Sequence, residues 1–288
     1  MDLSVIIVSF NTRKFTEDCL DSAIRSLKKT KLAWEIILVD NTSTDGTREM
    51  VAKKFPAVHA IFNSENVGFG RGNNQGIKAA NGEYILLLNS DTVVVNHALG
   101  KLYAFARQHP NAFVGPKLLN PDRSAQTSCG PFFSLPVVFA ALFLKGDRLG
   151  LTRWSPNHVR KVDWISGAAI MAPKRLFMNG LLFDEKIFMY MEEIDLLYRA
   201  KKKGYSTYFY PRSLIVHLGS GSSTDKRKGP VLNIYRGYIY FYTKHRSAFS
   251  LPVLRAMLKT KALIAWCIGV LTGSRYLKET YAEAYQLV

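Results

Sequence analysis

Cysteine is scarce in this chain of 288 residues: Cys19, Cys129 and Cys267 are odd in number, widely spaced and include no Cys-x-x-Cys pair. That usage argues against a disulfide framework or a zinc cluster and makes a reducing, cytosolic location the expectation. Long apolar runs are missing too. No stretch reaches the roughly 20 residues a spanning helix needs, although 48% of the chain is hydrophobic. The N-terminus enters a strand pattern by Leu3 without the basic flank or small-residue cleavage site of a secretory leader. Acidic residues are the third shortage, 22 Asp and Glu against 39 Lys and Arg, for a net charge of +17. Such an excess points to a polyanionic partner, and composition leaves nucleic acid, an anionic membrane surface and a phosphorylated substrate equally open. No Gly-x-x-x-x-Gly-Lys-Ser/Thr occurs, and the glycine cluster at 68–76 follows a third strand pattern, not a first. A P-loop enzyme and a dinucleotide-dependent dehydrogenase are thereby disfavoured.

What is present is organised around 82–95, GEYILLLNSDTVVV. An apolar run too short for a helix reads as a buried strand, and it ends in Asn89, Ser90 and Asp91. Two earlier runs end alike. LSVIIV at 3–8 runs into Ser9, Phe10 and Asn11, and WEIILV at 34–39 runs into Asp40 and Asn41. Helical spacing over 13–29 and about 47–55, a third strand at 58–62 and a short helix reaching Ala80 complete an alternating pattern. Alternation with short connections predicts a doubly wound, mostly parallel α/β sheet flanked by helices. In such a sheet the polar strand ends share one edge, where ligands bind. The glycine-rich segment 66–76 is expected to be a loop opening toward that edge.

These segments, SVIIVSFN at 4–11, VDNTSTDGT at 39–47, NVGFGRGNNQG at 66–76, GEYILLLNSDT at 82–92 and FMYMEEIDLLYRAKKKGY at 188–205, resemble in order and spacing the inverting glycosyltransferases of family 2, which have the GT-A fold. The glycine-rich and NSDT forms look most like the rhamnosyltransferase branch. The resemblance implies that Ser9, Asn11, Asp40, Asn66, Gly70, Arg71, Asn73, Asn74, Asn89, Ser90 and Asp91 bind a nucleotide-diphospho-sugar. It implies that Asp91, the surviving carboxylate of an Asp-x-Asp motif whose first position here is Asn89, and His217 hold Mg²⁺ or Mn²⁺. Glu193 is implied as the catalytic base. Trp164, Glu192 and Asp195 are implied on the acceptor side, and GSGSST at 219–224 as a lid. A lone His, a Trp in a strand and acids in a helix's first turn also have purely structural readings.

The expected organisation is a GT-A domain over 1–224, with a nucleotide-sugar half at 1–100 and an acceptor half at 101–224, then a basic, aromatic helical tail over 225–288. FFSLPVVFAALFL at 132–144 is expected to be buried. Apolar residues at 262–271 with flanking Lys and Arg suit either an interfacial helix on an anionic leaflet or a packed helical pair. The functional expectation is metal-dependent transfer from a dTDP- or UDP-sugar, dTDP-rhamnose foremost, to a lipid-linked or oligosaccharide acceptor on the cytoplasmic membrane's inner face. Galactose, galactofuranose, glucose and N-acetylhexosamine donors are the alternatives, and a non-catalytic nucleotide-sugar-binding subunit is the alternative of another class. No nucleic-acid module is recognisable, and self-association is left open.

Overall fold

The computed structural model describes residues 1–219 and 228–288. All of the proposed lid at 219–224 but Gly219, and most of the basic linker after it, therefore lie outside the described residues. Two compact units emerge: Met1–Gly130, Trp154–Phe188 and Glu192–Ser222 form the first, and Pro131–Arg153, Met189–Met191 and Ser223–Val288 the second.

In the first unit the chain runs β1 (Leu3–Ser9), α1 (Arg13–Leu27), β2 (Trp34–Asp40), α2 (Thr47–Lys54), β3 (His59–Phe62), α3 (Phe69–Ala79), β4 (Tyr84–Asn89), β5 (Thr92–Val94), α4 (Ala98–Gln108), β6 (Ala112–Leu119), β7 (Ala125–Gln126) and β8 (Cys129–Gly130). The second unit's α5 (Leu135–Phe143) intervenes. The first unit then resumes with β9 (Arg160–Lys161), β10 (Trp164–Ile165), β11 (Ala169–Pro173), α6 (Lys174–Met178), α7 (Glu192–Lys202) and β12 (Ser206–His217).

The main sheet has the order β3-β2-β1-β4-β11-β6-β12-β5. Strands β3, β2, β1 and β4 are mutually parallel, β11 runs against both neighbours, β6 and β12 are parallel to each other, and β5 is antiparallel to β12. The central strands are Val, Ile and Leu runs because helices cover both their faces. Leu3, Val5, Ile7, Leu38, Leu86 and Leu88 join Leu20, Leu99 and Leu102 in one core cluster. Each such side chain contributes about 1.5–3 kcal/mol on burial.

One expectation fails within this frame. The glycine-rich segment is not a loop at the ligand edge: from Phe69 it is helix α3, and only Asn66, Val67 and the N-cap Gly68, with φ 83, lie outside it. Glycine costs a helix about 1 kcal/mol relative to alanine. Here the missing side chains let α3 lie directly on β1, since a Cβ at Gly76 would stand 2.4 Å from Ile6 Cγ2. Gly76→Ala is therefore expected to destabilise the fold by about 1–3 kcal/mol through overpacking, despite alanine's helix propensity, read as a lower urea midpoint at unchanged m-value.

The second unit contains α5, α8 (Lys228–His245), α9 (Ser250–Leu271) and α10 (Arg275–Leu287). Its interior is formed by Val138, Leu232, Tyr235, Tyr238, Phe241, Tyr242, Leu254, Leu258, Ala262 and Ala284. Segment 132–144 departs from its expected burial. Most of it is helix α5, where Val138 alone is buried and Phe139 is exposed, with Leu144 exposed just after it. An apolar helix end to end has more hydrophobic surface than one packing face can cover.

Candidate active site

The carboxyl ends of β1, β2 and β4 carry the polar residues singled out in the sequence. Asp40 is 2% exposed. Its Oδ1 accepts from the Ser43 amide at 2.8 Å and its Oδ2 from the Ser43 hydroxyl at 2.6 Å. Each oxygen retains a second acceptor site. Ser43 Oγ accepts from the Asn11 amide at 2.9 Å, and Asn11 Oδ1 from the Thr44 amide at 2.8 Å. Asn11 and Thr42 hold left-handed φ values of 50° and 62°. The two loops after β1 and β2 are thus one hydrogen-bonded structure around Asp40.

Other residues of the proposed nucleotide set face inward. Ser9 is buried, with its hydroxyl bonded to Thr12 and Thr16, and Thr12 in turn meets Ser90. Asn66 Oδ1 accepts from the Gly68 amide and from Asn41 Nδ2, which shapes the entry to α3. Asn73 Nδ2 donates to the Phe69 carbonyl, and Asn74 exchanges hydrogen bonds with the Phe183 backbone while donating to Glu185. Gly70 lies under Phe183, where a Cβ would stand 3.1 Å from Phe183 Cβ. Arg71 is half exposed and 3.7 Å from Glu185. The structure spends Ser9, Asn66, Asn73 and Asn74 on holding the fold.

Asp91 and His217 come together. Leaving β4, the chain passes Asn89, Ser90 and Asp91 and enters β5, which pairs with the end of β12 so that Thr92 opposes His217. The Leu218 amide donates to the Asp91 carbonyl at 2.9 Å, and Asp91 Oδ1 stands 3.4 Å from His217 Nε2. The tautomer follows from Gln126, absent from the sequence-based set. Gln126 Nε2 donates to the Asn120 side chain and the His217 carbonyl, so Gln126 Oε1 is the acceptor facing His217 Nδ1 at 2.8 Å. With the Nδ1 proton held there, Nε2 is the ring nitrogen that faces the Asp91 carboxylate. Nothing local marks Gln126, which lies 91 positions from His217 in sequence. Asn89 Oδ1 is buried and accepts no hydrogen bond among the described residues.

Glu192, Glu193 and Asp195 occupy the first turn of α7. Tyr190 and Met191 precede it with φ values of 70° and 74°, a conformation costing non-glycine residues about 1–3 kcal/mol each. Asp195 is fully buried and accepts from Arg199 Nε at 2.7 Å, while Arg199 donates to the carbonyls of Gly180 and Leu182. It anchors a loop and, being sealed from solvent, faces no acceptor. Trp164 is also buried, in β10 against β8. A tryptophan so covered, 3% exposed, packs as core.

Glu193 borders the sheet edge through Gly167. A Cβ at Gly167 would lie 3.7 Å from Glu193 Cβ and equally far from Phe69. The neighbouring Ala168 carbonyl accepts from the Asn89 amide at 3.0 Å. The chain thus connects Asn89 at the end of β4 to Glu193 on α7 through two small residues. Burial, and then the adjacent Glu193 charge, pushes the Glu192 carboxyl well above its usual range. The native state therefore binds a proton that the unfolded chain releases at about pH 4.3. This contribution to stability is complete below that pH and lost as pH rises toward the native value. Glu192→Gln is expected to remove it: the melting-temperature difference, wild type minus variant, should fall with rising pH above about 4.3. A flat difference would contradict the assignment.

A mixed, mostly parallel sheet with its polar residues gathered at one carboxyl edge is the architecture of the GT-A glycosyltransferases. A crystal structure of GalNAc-T7 with UDP, GalNAc and Mn²⁺ is similar, with a TM-score of 0.59 at 17% identity over 84% of this chain and 50% of that one. Residues 4–125 match the family described as Glycosyl transferase family 2. Among curated relatives, a low-salt glycan biosynthesis hexosyltransferase of Haloferax volcanii is 27% identical over 206 residues, 70% of this chain and 62% of that protein. An N-acetylglucosaminyl-diphospho-decaprenol L-rhamnosyltransferase of Mycobacterium tuberculosis is 28% identical over 240 residues, 76% of this chain and 78% of that protein. The family 2 match thus spans the first part of the chain, and over most of its length the chain is similar to hexosyl- and rhamnosyltransferases of glycan biosynthesis. Among the described residues no helix is long and apolar enough to cross a membrane.

Proposed function

We propose that the chain is an inverting, metal-dependent glycosyltransferase that moves a sugar from a dTDP- or UDP-linked donor, dTDP-rhamnose foremost, to a hydroxyl of a lipid-linked or polysaccharide acceptor. The observation that carries this reading is the Asp91 and His217 pair, with Nε2 3.4 Å from Asp91 Oδ1 and Nδ1 against Gln126. One oxygen and one imidazole nitrogen suit Mn²⁺ or Mg²⁺ when donor phosphates and water complete the shell. No group of three or more His, Cys, Asp or Glu is placed to hold a metal ion among the described residues, so in this reading the donor phosphates supply much of the coordination. The bound ion would neutralise charge developing on the departing diphosphate.

The remaining roles fall to this chain's own groups. Asp40, with an acceptor site left on each oxygen, receives the imide N–H of a uracil or thymine base, and the loop of Asn11 and Ser43 fixes its direction. Gly167 and Ala168 leave the donor sugar room between Glu193 and the strand end. Glu193 takes the proton of the attacking acceptor hydroxyl. The new bond forms between that oxygen and the anomeric carbon, on the face opposite the bond to the diphosphate oxygen. As that bond breaks, its electron pair leaves with the nucleoside diphosphate, and the configuration inverts.

Support from relatives is of the same kind: one is named for rhamnosyl transfer to a diphospho-decaprenol acceptor. The test is calorimetric titration of dTDP, UDP, GDP and their sugars with and without Mn²⁺. Manganese-dependent binding of a dTDP or UDP form is expected. Absence of any nucleotide binding overturns the reading, and preference for a UDP-hexose moves the donor to the galactose or N-acetylhexosamine class.

A further inference from the structure

The second unit is far more basic than its share of the chain requires. It holds 14 Lys and Arg against 4 Asp and Glu, so it carries +10 of the net +17. No carboxylate side chain occurs from Lys226 to Lys278. Helix α9 lies within this stretch, and its two faces differ. Leu254, Leu258, Ala262, Ala265 and Gly269 are buried against the unit's other helices. At 100° per residue the opposite stripe contains Val253, Leu263, Ile264, Cys267, Val270 and Leu271, all exposed, with Leu263 at 51% and Leu271 at 86%. Arg255 and Lys259 border this stripe on one side and Lys261 on the other. Helix α5, which packs on α9, adds exposed Phe139 and Leu144.

We propose that this stripe is a docking surface for an anionic lipid bilayer, with α9 lying in the plane of the interface. An apolar stripe bordered by cations and free of carboxylates matches acyl chains below and anionic headgroups at the rim. A second copy would bring another unit of charge +10 against the first, which opposes association. A nucleic acid would satisfy the cations but leave the aliphatic side chains in water. Three cations within α9, Arg255, Lys259 and Lys261, suit a helix lying on the membrane better than one crossing it.

The test needs no sugar donor, so its outcome is independent of the catalytic reading. The full chain is sedimented with phosphatidylcholine vesicles and with vesicles containing about 30% phosphatidylglycerol. Preferential binding to the anionic vesicles is expected, weakened by about 0.5 M salt and accompanied by a blue shift of Trp266 fluorescence. The double variant Ile264→Asp/Leu271→Asp changes exposed side chains only, so its melting temperature should be unchanged while vesicle affinity drops about tenfold or more. Lys259→Ser/Lys261→Ser should weaken binding to anionic vesicles alone. Wild type that binds no vesicles, or a double Asp variant that binds like wild type, overturns the proposal. So does self-association in ultracentrifugation that this variant abolishes while vesicle binding stays absent, which would make a second copy the occupant.

Discussion

Glu193→Gln is expected to lower kcat by about 10²- to 10⁴-fold, the range for loss of a positioned general base, with little change in nucleotide affinity or melting temperature. Glutamine keeps the side chain's shape beside Gly167 and Phe69 but accepts no proton at neutral pH. The effect belongs in kcat because the transferred proton moves only as the acceptor attacks. Donor titration and acceptor turnover, measured on the same preparation, separate the two. A variant with normal turnover would remove Glu193 from the chemistry and return the acids of α7 to stabilising their helix start. The adjacent Glu192 sharpens the design. Buried beside Glu193, it favours its neutral form.

Asp91→Ala is expected to abolish manganese-dependent donor binding and to reduce kcat/KM by at least about 10²-fold, since one charge-stabilising group at a departing anion is worth roughly that much. Asp91 is the only carboxylate in the Asn-Ser-Asp segment, so no neighbouring acid takes its place. His217→Ala should act in the same direction and more weakly, because an imidazole supplies a lone pair but no compensating charge. Gln126→Ala is the more discriminating variant. It leaves Asp91 and His217 in place but frees the Nδ1 proton to exchange positions, so it should raise the manganese concentration needed for half-maximal donor binding by about 10-fold or more. Equal donor binding by wild type and Asp91→Ala across a manganese titration would show that this pair holds no ion.

The sequence by itself determined the central strands, their short connections and the polar residues that end them, because strand runs and turn chemistry are local properties of the chain. Asp40, Asp91 and the acid group at 192–195 were all legible in this way. Their company was not. Asp91 meets His217 only because the chain leaves β4 near the middle of the sheet and pairs β5 with the far strand β12, a long-range choice that no local pattern encodes. Gln126 joins them from β7, which pairs with β6, the neighbour of β12. Glycines 70, 72 and 76 carry one sequence signature for a loop and for a helix packed tightly on a strand, and the closeness of Ile6, Val8 and Phe183 decides for the helix. Burial separated Asp195 and Trp164 from their expected roles, since whether a side chain is covered depends on the elements laid over it. The covered and exposed faces of α9 were likewise decided by the helices packed on it, whereas the absence of carboxylates around it was written in the chain from the start.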